Sequence, residues 1–370
     1  MKKLLSVILL LSVMLSLCSC GRKYKPQKST KEESRVVMSL SVDGEEYDIK
    51  YELYRALFLA NKSKIDGGDA DVWTGVEAAE YVSQINEIIT KEAAYIYSAL
   101  HLAHKLDIDV YSSEADDFVD ECITLCVEGS EDGSVAGAGS YEKYLGSLKS
   151  AGLNYSVCDL MFRYSYALSE INKYYLGEEN PALGSLGGAI DTSDESLRTF
   201  YYSDECVRVL RAFVPSQLRS YEWAEDFRDD IAACESDMEK ALHIINYTAV
   251  PYSELILDGE ITGVLIGKHA MDKSYYTDYT NAAFSVSDGG VSYVATVKGT
   301  GYTDIDGYYV FSALAKDDGH FNENKALVKD AYLENEIGKI LDGIIASLVD
   351  SAEYEKDYSL ISHKDISMDP

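Results

Sequence analysis

The feature that most constrains this fold is an apolar stripe near the end of the chain. Between Asn322 and Val349, the residues Ala326, Leu327, Ala331, Leu333, Ile337, Ile340, Leu341, Ile344, Ile345 and Leu348 recur at helical spacing. A second stripe runs much earlier, from Gly75 to Leu106, through Val76, Tyr81, Ile85, Ile88, Ile89, Ala93, Ile96 and Leu100. Between the two lie stretches of a different period. Val207 to Val214 and Tyr308 to Leu314 alternate and are rich in β-branched and aromatic residues, as half-buried strands are. Helical segments flanking a strand-bearing middle predict an α+β protein. The late stripe has two candidate partners, the sheet just before it or the helices at the other end of the chain, and the sequence leaves both open.

With 370 residues and 46% hydrophobic composition, the chain is long enough for two or three cores. Its first residues read as a processing signal, with Lys2 and Lys3 before the short apolar run Leu4 to Leu17. The segment Leu17-Cys18-Ser19-Cys20-Gly21 resembles a bacterial lipobox, and that resemblance implies a lipid thioether on Cys20 after removal of residues 1–19. Residues 20–35 are rich in Lys, Ser and Glu and are expected to be a flexible tether. Losing Lys2 and Lys3 with the signal takes the net charge from −30 to −32. So acidic a body repels nucleic acid and anionic lipid headgroups, and neither is expected as a partner.

The early part of the chain reads as helical. Val42-Asp43-Gly44-Glu45-Glu46-Tyr47 carries an Asp-Gly turn, and an amphipathic helix begins near Tyr51. The long helix ends in Leu106-Asp107-Ile108, where Asp107 is suited to left-handed geometry. Further helices are predicted around Phe118 to Cys126 and from Ser156 to Leu176, with a glycine-rich hinge from Gly177 to Asp191. Thr192 and Glu195 have capping-box spacing at the start of another. Cys122, Cys126, Cys158, Cys206 and Cys234 are an odd set without disulfide-scaffold spacing. His101 and His104 lie three apart on a helix but have no third ligand nearby in sequence, so no metal site is expected. No phosphate loop, nucleophile elbow or zincin helix is present, and no cofactor is expected.

Several short stretches together resemble the secreted PrsA and SurA foldases, which carry a parvulin-type prolyl isomerase domain. Val42 to Tyr47 with the following helix, the elbow at Ala103 to Glu114, and Tyr144-Leu145 through Leu153 are similar to the helical part of that family. Val207-Arg208-Val209-Leu210-Arg211-Ala212-Phe213-Val214 resembles its first parvulin strand, usually R-A-S-H-I-L. Gly263 to Gly267 is similar to its G-D-L-G segment, and Asn281 to Ser292 to its A-A-F-x-L-x-x-G-E-x-S run. Asp306 to Phe311 corresponds to G-Y-H-I-I. Arg211 and Tyr309 fall where the family keeps its two histidines.

The resemblance implies a helical SurA-like chaperone domain over residues 36–178, a linker and connecting helix over 179–202, and a degenerate parvulin-like domain over 203–318. It also implies that residues 319–370 pack back on the helical domain. The apolar proline-pocket positions fall on Tyr275, Tyr279 and Phe284, with Met271 as an alternative to Tyr275. A guanidinium only donates hydrogen bonds, so replacing the histidine pair reorganises the network beneath the pocket. The expected protein is a lipid-anchored extracytoplasmic foldase that binds exported, unfolded polypeptides with weak or lost isomerase activity. The 30 tyrosines against 9 phenylalanines suit promiscuous binding of such chains. Two rivals remain: an active prolyl isomerase, and an envelope-interaction or solute-binding lipoprotein. Homodimerisation is left open.

Overall fold

A computed structural model of the chain describes residues 23–130, 136–176, 190–248, 250–257, 259–269, 273–286, 289–297, 307–355 and 361–366. The processing signal, Cys20, Met271 and most of the glycine-rich hinge lie outside them. The architecture is α+β. Strands β1 (Val36–Val42) and β2 (Glu45–Lys50) form a hairpin that pairs Val42 with Glu45. Asp43 and Gly44 make its two-residue turn with φ of 54° and 82°, the double left-handed geometry that matches strand twist. Helix α1 (Tyr51–Asp66) follows directly, and α2 (Ala78–Lys105) is the long helix expected from the first stripe. Asp107 does take left-handed geometry (φ 57°). Its N–H reaches the His104 carbonyl at 3.1 Å and that of Ile108 reaches Ala103 at 2.9 Å, so the orphan carbonyls of the last turn are satisfied.

Helices α3 (Ser113–Glu128) and α4 (Tyr141–Ser150) are capped by Ser112 and Ser140, and α5 (Tyr155–Leu176) closes this part. The expected tether is corrected from Lys23 onward. Tyr24 is buried, its ring 4.9 Å from that of Tyr141, Lys23 pairs with Glu128 at 2.9 Å, and Ser29 meets Ser156 at 2.8 Å. An aromatic ring in a polar run gives the segment something to bury. Helix α6 (Asp194–Tyr202) is also capped differently from expectation. Ser193, not Thr192, accepts from the Ser196 N–H, because the Asp191 carboxylate holds the Ser193 N–H (2.9 Å) and hydroxyl (3.0 Å) in place.

The middle of the chain runs β3 (Cys206–Pro215), α7 (Tyr221–Ala233), α8 (Asp237–Tyr247), α9 (Tyr252–Leu255), the hairpin β4 (Ile256–Leu257) and β5 (Glu260–Ile261), and β6 (Val264–Gly267). It continues through α10 (Lys273–Phe284), β7 (Ala295–Val297) and β8 (Gly307–Ala313). Four strands form an antiparallel sheet in the order β6-β3-β8-β7. After α11 (Asp318–Glu323), α12 (Lys325–Asp350) carries the late stripe, and β9 (Glu353–Tyr354) pairs with β1.

The stripe serves both of its candidate partners. Its first half, with Val328 and Ala331, packs against Leu197 and Phe200 of α6 and Cys206 of β3. Its second half, with Ile337, Leu341 and Leu348, joins the core of β1, α1, α2 and α5, where Met38, Leu40, Ile85 and Ile89 are fully buried. Each such side chain contributes about 1.5–3 kcal/mol relative to exposure. The junction with the sheet is close. Gly338 lies against the His269 backbone, Asn335 accepts from the His269 N–H at 2.8 Å, and Lys339 pairs with Glu205 at 2.5 Å.

Candidate functional site

Alternation along β3 divides the sheet into two chemical faces. Leu210, Ala212 and Val214, with Val310 of β8, pack against Phe227 and Ile231 of α7 and Ile244 of α8. Val209, with Phe311, Ala295 and Ile266, packs on the opposite face against Ala282 and Ala283 of α10. Arg211 and Tyr309 share this second face. The register pairs Arg211 with Phe311 and Phe213 with Tyr309, so Arg211 and Tyr309 are diagonal neighbours across the strand pair.

Tyr279 of α10 lies over both strands. Its ring meets those of Tyr309 (4.9 Å, 86°) and Phe311 (4.8 Å, 89°) edge to face, the favoured arrangement of aromatic quadrupoles. Tyr309 also meets Phe213 at 4.8 Å, and the Arg211 Nη1 donates to the Tyr279 hydroxyl at 3.5 Å. Phe284, at the end of α10, packs at the margin of the same cluster. Tyr275 lies one turn before Tyr279 on α10, and Met271 is outside the described residues. The face thus presents three phenol or phenyl rings of β8 and β3 around Tyr279, and a guanidinium. These groups can stack on a chain and donate hydrogen bonds to its carbonyls. No imidazole is among them.

Three supporting residues were not singled out from the sequence. Asp278 fixes α10 to the sheet by accepting from the Tyr293 hydroxyl and the Thr296 N–H, both at 2.9 Å. Burial, followed by this carboxylate, pushes the Tyr293 hydroxyl up to about 12. Ser292, buried at the end of the Asn281 run, exchanges backbone and side-chain bonds with Phe311, accepting its N–H at 3.0 Å on Oγ. Gly307 faces Pro215, and a Cβ there would come within 2.6 Å of the Val214 carbonyl oxygen. The only sequence signals for these roles were the serine closing the Asn281 run and the glycine of Gly307-Tyr308-Tyr309.

The other sequence candidates have structural roles. His101 is buried with Nδ1 2.8 Å from the Tyr47 hydroxyl, whereas His104 is exposed beside Glu45 at 3.1 Å. Among the described residues, no group of three or more His, Cys, Asp or Glu is arranged to hold a metal ion. Burial pushes the thiols of Cys122 and Cys158 up to about 11 and Cys206 to about 12, which leaves them protonated and unreactive. No described helix is long and apolar enough to cross a membrane.

A concavity of about 420 Å³ lies between β2, the end of α2 and the elbow after it. Tyr47, Tyr97, Leu100, Ile108, Val110 and Tyr111 form its apolar lining. Acidic and apolar residues alternate along the elbow, Asp107-Ile108-Asp109-Val110.

No protein-family model matches the chain, and no curated protein does. Among solved structures, it is similar to the foldase protein PrsA of Streptococcus pneumoniae, at 14% identity and a TM-score of 0.32 over 86% of this chain and 96% of that one. It is also similar to the foldase protein PrsA of Lactococcus lactis (14%, TM-score 0.25, 90% and 99% covered) and to PrsA of Bacillus subtilis (16%, TM-score 0.23, 89% and 99% covered).

Proposed function

We propose that this protein is an extracytoplasmic foldase-like chaperone that binds exported, unfolded polypeptides and has little or no prolyl isomerase activity. One observation carries the reading: Arg211 and Tyr309, the residues at the two positions where the resembled parvulin strands keep histidines, share one sheet face and both contact Tyr279. Strand register makes the pair diagonal neighbours, and their shared contact with Tyr279 supports the reading.

A prolyl isomerase must lower a barrier of roughly 18–20 kcal/mol by holding the imide twisted in a shaped, dry pocket. Here the ring of Tyr279 lies edge-on against Tyr309 and Phe311, and its hydroxyl accepts from the Arg211 guanidinium where the resemblance implies an imidazole. That arrangement favours holding a chain over twisting one. The proposed organisation is a helical domain of residues 36–178 completed by 319–370, with 203–318 as the degenerate parvulin-like domain and Tyr275, Tyr279, Phe284 and Met271 near the client. A lipid anchor on Cys20 would hold it at the outer face of a membrane.

The test sets suppression of client aggregation beside acceleration of proline isomerisation, using the full mature chain. Suppression without acceleration is expected, and Tyr279→Phe, which removes the hydroxyl that accepts from Arg211, should weaken client binding without unfolding the protein. Absence of both activities would reject the reading, and rapid isomerisation would favour the enzyme.

A further inference from the structure

We propose that the cleft between β2 and the elbow after α2 binds an apolar segment of an unfolded chain flanked by lysine or arginine. The proposal rests on the foldase reading and narrows the client it implies.

The cleft is preformed. Arg163 of α5 is buried, donates to the Val110 carbonyl at 2.6 Å, pairs with Asp159 (2.8 Å) and Asp116 (2.5 Å), and lies 4.7 Å from the ring centre of Tyr111. Together with the left-handed cap at Asp107, it holds the elbow as a rigid wall, so a ligand need not order it. The size is that of a ligand-binding cleft, and Tyr111 remains 67% exposed at its mouth.

Charge decides the occupant. Ile108 and Val110 are buried while Asp107 and Asp109 are exposed, so the elbow presents apolar side chains to the cleft and carboxylates to its rim. Glu45 adds a third carboxylate from β2. The basic side chains beside it are already engaged, Lys105 with Asp43 at 3.4 Å, His104 with Glu45 at 3.1 Å and Arg163 with Asp159 and Asp116. An apolar floor with an acidic rim, on a chain of net charge −30, complements an apolar core with basic flanks and repels an acidic one.

The test uses charge removal that keeps the geometry. Asparagine tolerates the left-handed backbone at 107, an amide oxygen at 109 still accepts from the Tyr111 N–H (2.9 Å), and glutamine at 45 still accepts from the Tyr47 hydroxyl (2.9 Å). Three labelled peptides are titrated by fluorescence anisotropy: a Leu/Tyr core with lysine flanks, the same core with glutamate flanks, and a Gly/Ser core with lysine flanks. The lysine-flanked apolar peptide should bind about tenfold more tightly than either of the others, with the preference over the glutamate-flanked peptide fading in high salt. The triple variant E45Q/D107N/D109N, matched to the parent in melting temperature, should lose most of that flank preference, at roughly two- to fivefold for each charge removed. Tyr111→Ser should weaken both apolar peptides alike. Equal affinity for lysine and glutamate flanks, an unchanged triple variant, or equally tight binding of the Gly/Ser core would each overturn the proposal. Aggregation suppression by the same preparations separates the two ideas. Suppression without flank preference leaves the foldase reading standing and removes this site, whereas flank preference without suppression keeps the site and removes the foldase reading.

Discussion

Alanine at Gly338 sets two energies of opposite sign against each other. Glycine in a helix interior costs about 0.5–1 kcal/mol relative to alanine, so the change should stabilise α12 wherever there is room. Gly343, on the same helix, has room: nothing lies within 4 Å of a Cβ placed there. At Gly338 the Cβ would stand 2.6 Å from the His269 carbonyl carbon and closer still to its oxygen. These are backbone atoms, so no rotamer change relieves the clash and the helix must retreat from the sheet domain. Retreat strains the His269 N–H bond to Asn335 and the His269–Asp342 pair, both 2.8 Å. Overpacking costs about 1–3 kcal/mol and the hydrogen bond about 1, so after the propensity gain the net is about 1–3.5 kcal/mol of destabilisation. The chain's two tryptophans permit a direct assay, because Trp73 lies in the helical core and Trp223 on α7. Urea unfolding of single-tryptophan versions, made with phenylalanine at the other site, should show Gly338→Ala lowering the midpoint and separating the two transitions. Gly343→Ala should raise stability by up to about 1 kcal/mol. A Gly338→Ala protein within about 0.5 kcal/mol of the parent would refute the close packing of α12 on the sheet domain.

Other consequences are as specific. Asp107→Gly should be tolerated at its positive φ, while Asp107→Val should cost about 1–2 kcal/mol, read from thermal midpoints. Ser292→Ala leaves the buried Phe311 N–H without its side-chain acceptor and should cost about 1–3 kcal/mol in urea unfolding; no change would deny Ser292 its role. Burial holds His363 below its ordinary 6.5, and its Nε2 lies 2.9 Å from the Tyr54 hydroxyl. The unfolded chain therefore takes up a proton that the folded one resists, so this contribution is fully present above about pH 6.5 and is lost as pH falls toward the folded value. His320 shifts in the same direction, through burial first and then the Arg208 charge. Between about pH 7.5 and about pH 5.5, His363→Phe should lose less stability than the parent, and an equal loss would reject the assignment.

Much of this architecture could be read from local pattern. The long helix α2, strands β3 and β8, the Asp43-Gly44 turn and the left-handed Asp107 follow from periodicity and from the few residues that accept a positive φ. Partnership was harder. A stripe such as that of α12 announces a buried face but not what covers it, and its two halves turn out to face different cores. Alternation places Arg211 and Tyr309 on strands, but only the antiparallel register puts them on one face, and only α10 brings Tyr279 over them. The cap at Ser193 was hidden because Thr192 offers better spacing to Glu195, and the deciding contact comes from Asp191. Tyr24 was the overlooked sign that the polar segment after Lys23 packs on the body.

The central claim, that this chain holds polypeptide without isomerising it, is tested most directly by exchange spectroscopy on an unfolded peptide with one X-Pro bond, observed with the protein at stoichiometric concentration. The claim requires the peptide resonances to shift on binding while cis–trans exchange stays at its uncatalysed pace, tens to hundreds of seconds at about 25 °C. Exchange accelerated in the bound peptide, or no binding shift at all, would contradict it.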